Sequence, residues 1–273
     1  MMATVNRESY AAAVEKLTAD TQTATAAQIA ITADEILSVA RLLRGQPRLR
    51  RALTDPSRSG AERGELLRSL LAGKVGPAAV DAVAVLASGR WSAPNELLGA
   101  AERLGVDTAL AAADKAGKLA DIEDELFRFG QVVSGSPQLS VTLSDPAAPV
   151  DRRAKLVEDL LTGKAQTGTL QLVRAALEGF GGRSFETSLS KLVELTAEKR
   201  ERQVAYVTAA KLLDDAEEQR LAAKLSDIYG RQVSLKVDVD PSIIGGLSVR
   251  VGSDLYDGTI LRRLNEARQA FAK

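Results

Sequence analysis

Residues 124–164 read DELFRFGQVVSGSPQLSVTLSDPAAPVDRRAKLVEDLLTGK, and residues 34–74 read DEILSVARLLRGQPRLRRALTDPSRSGAERGELLRSLLAGK. Aligned at a shift of 90 residues, without gaps, they agree at 14 of 41 positions. The shared residues have local structural meaning. Asp55-Pro56 and Asp145-Pro146 end a helix, because proline lacks an N–H and pushes its predecessor out of the α region. A new helix then begins near Asp151. Gly73 and Gly163, each in LLxGK, suit the left-handed residue just past a helix end. Ile36, Val39 and Leu43 in the first copy, and Ile122, Leu126, Phe129 and Val133 in the second, recur at three and four and line a buried helical face. Two copies at this period predict tandem helical bundles rather than a solenoid.

The stretch between them, residues 93–116 (APNELLGAAERLGVDTALAAADKA), is helix-prone. It is predicted to run from the last helix of the first bundle into the first helix of the second, with Gly105 as its weak point. Downstream, SFETSLSKLVELTAEKRER (184–202) completes the second bundle, and the period then changes. QVAYVT (203–208), VSLKVDVD (233–240) and GLSVRV (246–251) alternate as strands do. DDAEEQRLAAKLSDIY (214–229) reads as a helix capped by Asp214 or Asp215, with Leu221, Leu225 and Ile228 on one face. A last helix is expected over 259–271. The fold class is therefore mainly α with a small α+β C-terminal domain. Its expected divisions are a bundle over 1–104, a second over 105–202 and a short-sheet module over 203–273.

Composition narrows the chemistry. The 36 basic and 36 acidic residues cancel, which argues against nucleic acid as a partner. The basic cluster Lys199-Arg200-Arg202 alternates with Glu198 and Glu201, as a solvated helix face does. With no cysteine and no histidine, disulfides, Cys/His metal sites and histidine base catalysis are excluded. No apolar run is long enough to span a membrane, and MMATVNRESY lacks the apolar core of a signal peptide.

The candidate chemical motifs fail on inspection. Thr162-Gly163-Lys164 resembles the end of a phosphate-binding loop, but Ala165 stands where magnesium needs a hydroxyl. Gly245-Gly246 with Gly252 opens a strand instead of a helix, so it is no dinucleotide fingerprint. Asp121, Glu123, Asp124 and Glu125 suit a helix N-terminus and need no metal. Trp91 reads as core or as a partner anchor, core being the commoner role. No catalytic residue, cofactor or metal is expected.

The stretch DPSIIGGLSVRVGSDLYDGTILRRL (240–264) carries the one specific resemblance. Asp240-Pro241 with Gly245-Gly246, then Val251-Gly252, Asp257-Gly258-Thr259 and Leu264, resemble the signature of the delta subunit of F-type ATP synthase, the oligomycin-sensitivity-conferring protein family. Thr259 stands where that family usually has serine. The second bundle is similar to the family's helical domain at Ser136-Pro137-Gln138-Leu139, Ser144-Asp145-Pro146 and Lys155-Leu156. The resemblance covers roughly 105–273, and the first bundle is an added copy, as in the long actinobacterial form.

What the resemblance implies is a non-catalytic stator subunit at the cytoplasmic face of the cell membrane, held there through the synthase. The helical domain would take amphipathic N-terminal helices of the alpha subunits into an apolar groove. The C-terminal module would meet the b subunit of the peripheral stalk. The groove is expected between helices near 107–116 and 168–178, with Leu110, Leu170, Val173 and Leu177 as candidate contacts, buried core being the commoner role for each. The first copy would brace the stalk. The competing reading is a non-catalytic helical adaptor of another complex.

Overall fold

The computed structural model describes residues 4–201, 204–229, 233–240, 243, 245–251, 254–258 and 260. The chain divides into two compact units, residues 1–196 and 197–273. The expected helix over 259–271 lies outside the described residues, save Ile260.

The first copy contributes α1 (Thr4–Asp20), α2 (Ala26–Gly45), α3 (Pro47–Leu53), α4 (Gly60–Leu71) and α5 (Pro77–Ser88). Then comes α6 (Pro94–Lys115), followed by α7 (Leu119–Gly135), α8 (Pro137–Ser144), α9 (Val150–Leu161), α10 (Thr167–Leu177) and α11 (Phe185–Glu201). At a shift of 90 residues α1 falls on the start of α6, and α6 falls on α11. One helix therefore serves both bundles. Its N-terminal half gives Leu97, Ala100, Ala101 and Leu104 to the first core. Its C-terminal half gives Val106, Ala109, Leu110 and Ala113 to the second. The division drawn at 104/105 lies inside this helix.

Gly105 is not a weak point. The helix is continuous through it, and a Cβ there would stand 2.7 Å from Leu37 Cγ on α2. The missing side chain lets α2 and α6 approach closely, and that contact outweighs the roughly 1 kcal/mol that glycine costs a helix.

The copies share their fixing devices. The Gly76 amide donates to Glu35 Oε1 (3.0 Å), and the Gln166 amide donates to Glu125 Oε2 (2.8 Å), each at the start of its copy's fifth helix. Asp55 accepts from the Ser57 amide and Asp145 from the Ala147 amide, closing the same turn. Gly73 and Gly163 have φ of 69° and 74°, the left-handed geometry expected of them. Glu125 does more than sit in a helix dipole, because it also accepts from the buried Thr169 hydroxyl. Trp91 is core, its indole N–H donating to Leu86 O at 2.8 Å.

The second unit holds β1 (Val204–Ala209), α12 (Asp215–Tyr229), β2 (Ser234–Val239), β3 (Leu247–Val251) and β4 (Asp254–Asp257), with sheet order β2-β1-β3-β4. β1 runs parallel to β2, so the connection needs a crossover, and α12 supplies it. β3 is antiparallel to both β1 and β4. Ala205, Val207, Val249 and Val251 share one face of the sheet and pack with Leu225 of α12. Asp214 caps α12 by accepting from the Glu217 amide at 2.7 Å, and Glu217 returns the bond to the Asp214 amide. The buried stripe of α12 follows a spacing of four, Leu221, Leu225 and Tyr229, which leaves Ile228 exposed instead of inside. β4 was not legible as a strand: Leu255 and Tyr256 are both exposed, so the backbone ladder to β3 defines it rather than burial.

Candidate functional site

Clefts open among the second copy's helices, and two of them are lined by α10 or α11. One, of about 370 Å³, lies between α7 and α11 and is lined by Phe127, Gly130, Val133, Leu189 and Val193, with Glu186 at its rim. Phe127 is 53% exposed there, a large aromatic left without a covering side chain. Gly130 keeps the floor open, since a Cβ would reach van der Waals distance of Leu189. The other cleft, about 380 Å³, is bordered by Asp34 of α2, Val157 of α9, and Leu170, Gln171 and Leu177 of α10.

The four residues expected to line a groove are distributed between core and cleft. Leu110, Val173 and Leu177 are buried, and Leu170 packs half-buried against the same core. Leu170 and Leu177 meet at the second cleft, whereas Leu110 and Val173 have no free surface. The reason is α2. Its Ala33 and Leu37 join the core that holds Leu110 and Val173, and Gln171 Nε2 donates to Ala30 O at 3.2 Å. A helix of the first copy thus lies on the face where an open groove was expected. The sequence signal for this was Gly105, whose lack of a side chain marks the close approach.

The joint between copies is polar as well as apolar. Arg41 pairs with Glu178 at 3.2 Å, Arg174 approaches Glu178 at 3.4 Å, and Arg44 pairs with Glu102. Glu102 also accepts from the Gly181 amide at 2.8 Å. Burial raises both carboxyls above their ordinary range, against the pull of the arginines. Tyr10 of α1 donates to Asp107 of α6 at 2.5 Å, and burial, with that carboxylate, pushes its phenol up.

The glycine-rich signature closes the sheet. β2 and β3 flank β1 on opposite sides, and β2 ends and β3 begins at the C-terminal end of β1. There the Asp240 amide donates to Ala209 O at 3.0 Å. Gly246 has φ of 84°, a conformation open to glycine. At Gly245 a Cβ would stand 2.6 Å from Ile260 Cδ1, and Gly245 O accepts from the Ile260 amide at 2.9 Å. Val251 is buried on the sheet, and Asp257 ends β4 opposite Ser248. Pro241, Gly252, Thr259 and Leu264 lie outside the described residues.

The described residues contain no group of three or more carboxylates placed to hold a metal ion. No described helix is long and apolar enough to cross a membrane.

Comparison with known proteins settles the family. The family described as ATP synthase delta (OSCP) subunit matches residues 107–271. The ATP synthase subunit delta of Salinispora arenicola is 62% identical over 273 residues, covering 100% of both chains. That of Salinispora tropica is 59% identical with the same coverage. That of Kineococcus radiotolerans is 46% identical over 98% of this chain and 97% of its own. The first copy, which precedes the family match, is therefore part of these relatives too. The chain belongs to the ATP synthase delta (OSCP) subunit family, as a non-catalytic, stalk-linking subunit of the long actinobacterial type.

Proposed function

We propose that this subunit holds the catalytic head to the peripheral stalk by gripping alpha-subunit N-terminal helices with its helical unit and the b subunit with its C-terminal unit. The observation that carries the first grip is the α7/α11 cleft, more apolar than polar despite Gln131, Ser134 and Ser190 on its walls, with Phe127 standing open at its mouth. An amphipathic helix laid there covers exposed Phe127 and half-buried Val193 with its own apolar stripe, over a floor formed by buried Val133 and Leu189. The second copy, residues 105–202, is thus the head-binding one. Leu170 and Leu177 offer a lesser contact at the α9/α10 cleft, while Leu110 and Val173 support the walls from inside.

The stalk contact is assigned to the C-terminal unit because Leu212, Ile228 and Leu255 are exposed on it, at 78%, 63% and 65%. The first copy braces the second through α2 and α6 and faces the stalk. Two contacts on one chain make the second intramolecular, which raises the effective affinity of the whole attachment. The work is done at the cytoplasmic face of the membrane, with the synthase as anchor.

The test is binding of an alpha-subunit N-terminal peptide to the full chain, measured by fluorescence anisotropy. Phe127→Ala is expected to weaken binding about tenfold, as loss of an aromatic anchor does. Unchanged affinity would move the head to another surface.

A further inference from the structure

Arg63 and Arg153 occupy the same position in the two copies, and both are buried, at 5% and 7% exposure. Arg63 is satisfied. Its Nε donates to Ala87 O, its Nη1 to Asp55 O and Arg58 O, and its Nη2 to Ser88 O and Gly89 O. Arg153 makes a single such bond, Nη1 to Leu143 O at 2.7 Å, and its buried Nε has no partner. A buried guanidinium with spare donors is costly unless an anion completes it.

The surroundings of Arg153 are built for one. It lines a cleft of about 510 Å³ between α8 and α9, together with Arg152, Lys155, Asp145, Asp159 and Val141. In the first copy the positions of Arg152 and Lys155 are Glu62 and Glu65, so the sign of charge is reversed at both. Glu62 there closes a capping box with Ser59 at the start of α4. The start of α9 has no side-chain cap, and Arg152 lies in its first turn, where a cation is unfavourable beside the helix dipole. Asp145 is already engaged by the Ala147 amide at 2.8 Å. Val141, 70% exposed, and half-buried Leu156 give the mouth an apolar edge.

We infer that the α8/α9 cleft receives a carboxylate side chain from an amphipathic segment of a neighbouring synthase subunit, with Arg153 as its buried partner and Arg152 and Lys155 at the rim. The apolar edge favours an acidic residue carried on a protein chain over a free anion. The inference rests on membership of the synthase and not on where the head binds. Phe127 and Arg153 lie in separate clefts, so the failure of one leaves the other standing.

A photocrosslinking residue at Val141, in the assembled synthase, is expected to capture a subunit segment with Asp or Glu within a helical turn of the adduct. No adduct, or one on a segment without acidic residues, overturns the inference. Arg153→Met is expected to leave the isolated chain as stable or more so, yet to weaken its binding to the rest of the synthase by about tenfold, with partial recovery in Arg153→Lys. Binding within about twofold of the parent sinks it. Should Arg153→Met not fold, the exposed pair Arg152→Glu and Lys155→Glu restores the first copy's charges and is held to the same thresholds. Inorganic phosphate that raises the melting temperature of the parent but not of Arg153→Met, with no adduct at Val141, assigns the cleft to a free anion and overturns the protein partner.

Discussion

The two copies of the bundle keep the same helix order, the same carboxylate at the start of the fifth helix and the same left-handed glycine after the fourth. They part at the fourth helix. In the first copy α4 begins with a Ser59–Glu62 capping box, and Arg63 binds five backbone carbonyls. In the second, α9 begins after Pro149 without a side-chain cap, and Arg153 binds one. Part of the cause lies downstream. In the first copy the carbonyls of Ala87, Ser88 and Gly89 turn in toward Arg63. In the second, Gly179 and Gly181 take left-handed conformations, and Gly179 O and the Gly181 amide instead meet Arg44 and Glu102. Gly89 O helps to close its bundle through Arg63, whereas its counterpart Gly179 O joins the second bundle to the first through Arg44. What duplication conserved is the scaffold, and what it released is one arginine.

The largest expected effect breaks the copies apart at that position. Arg63→Met leaves five carbonyls without their donor and is expected to lower stability by about 3–5 kcal/mol. Arg153→Met in the isolated chain is expected to change it little, or to raise it. Chemical denaturation of both variants measures the contrast, and equal losses would erase the distinction between the copies.

A second contrast lies along α6. Gly105→Ala places a Cβ 2.7 Å from the buried Leu37 and is expected to cost about 1–3 kcal/mol by overpacking. Gly99→Ala, on the same helix with nothing within 4 Å, is expected to add about 1 kcal/mol through helix propensity alone. Opposite shifts in melting temperature sharpen the picture of α6 as a shared helix pressed against α2. A third contrast concerns the conserved carboxylates. Glu35→Ala removes one acceptor and Glu125→Ala removes two, so losses of about 1 and 2 kcal/mol are expected, in that order.

How much of this was legible beforehand follows from which interactions are local. The repeat, the Asp-Pro breaks, the capping glycines and the first three strands of the last unit were readable, because each is set by a few adjacent residues. The signature around Gly245 and Gly246 was readable as a pattern, and the positive φ of Gly246 and the close approach of Ile260 to Gly245 supply the reason. The covering of α10 and α6 by α2 was not, because Gln171 and Ala30 are 141 residues apart and no periodicity links them. Leu110 and Val173 take the core role that apolar helix positions commonly have, instead of the groove role proposed for them. The fate of Arg153 was equally hidden: it aligns with Arg63 at the shift of 90 residues, and only the carbonyls around each distinguish them.

The smallest expected effect probes the polar joint that replaced those carbonyls. Burial holds the Glu102 and Glu178 carboxyls above their unfolded values, the opposite of an exposed salt bridge. The folded chain therefore binds protons that the unfolded chain has released. Stability contributed by these groups rises as pH falls through the raised values toward 4.5, the ordinary glutamate value, and is lost again as pH climbs. Melting curves between neutral pH and that limit, compared with the double variant Glu102→Gln and Glu178→Gln, isolate the effect from the other carboxylates. The parent should gain on the variant as acid is added. A parent that loses ground instead would mean that Arg41, Arg44 and Arg174 dominate burial, and that the joint between the copies is an ordinary set of ion pairs.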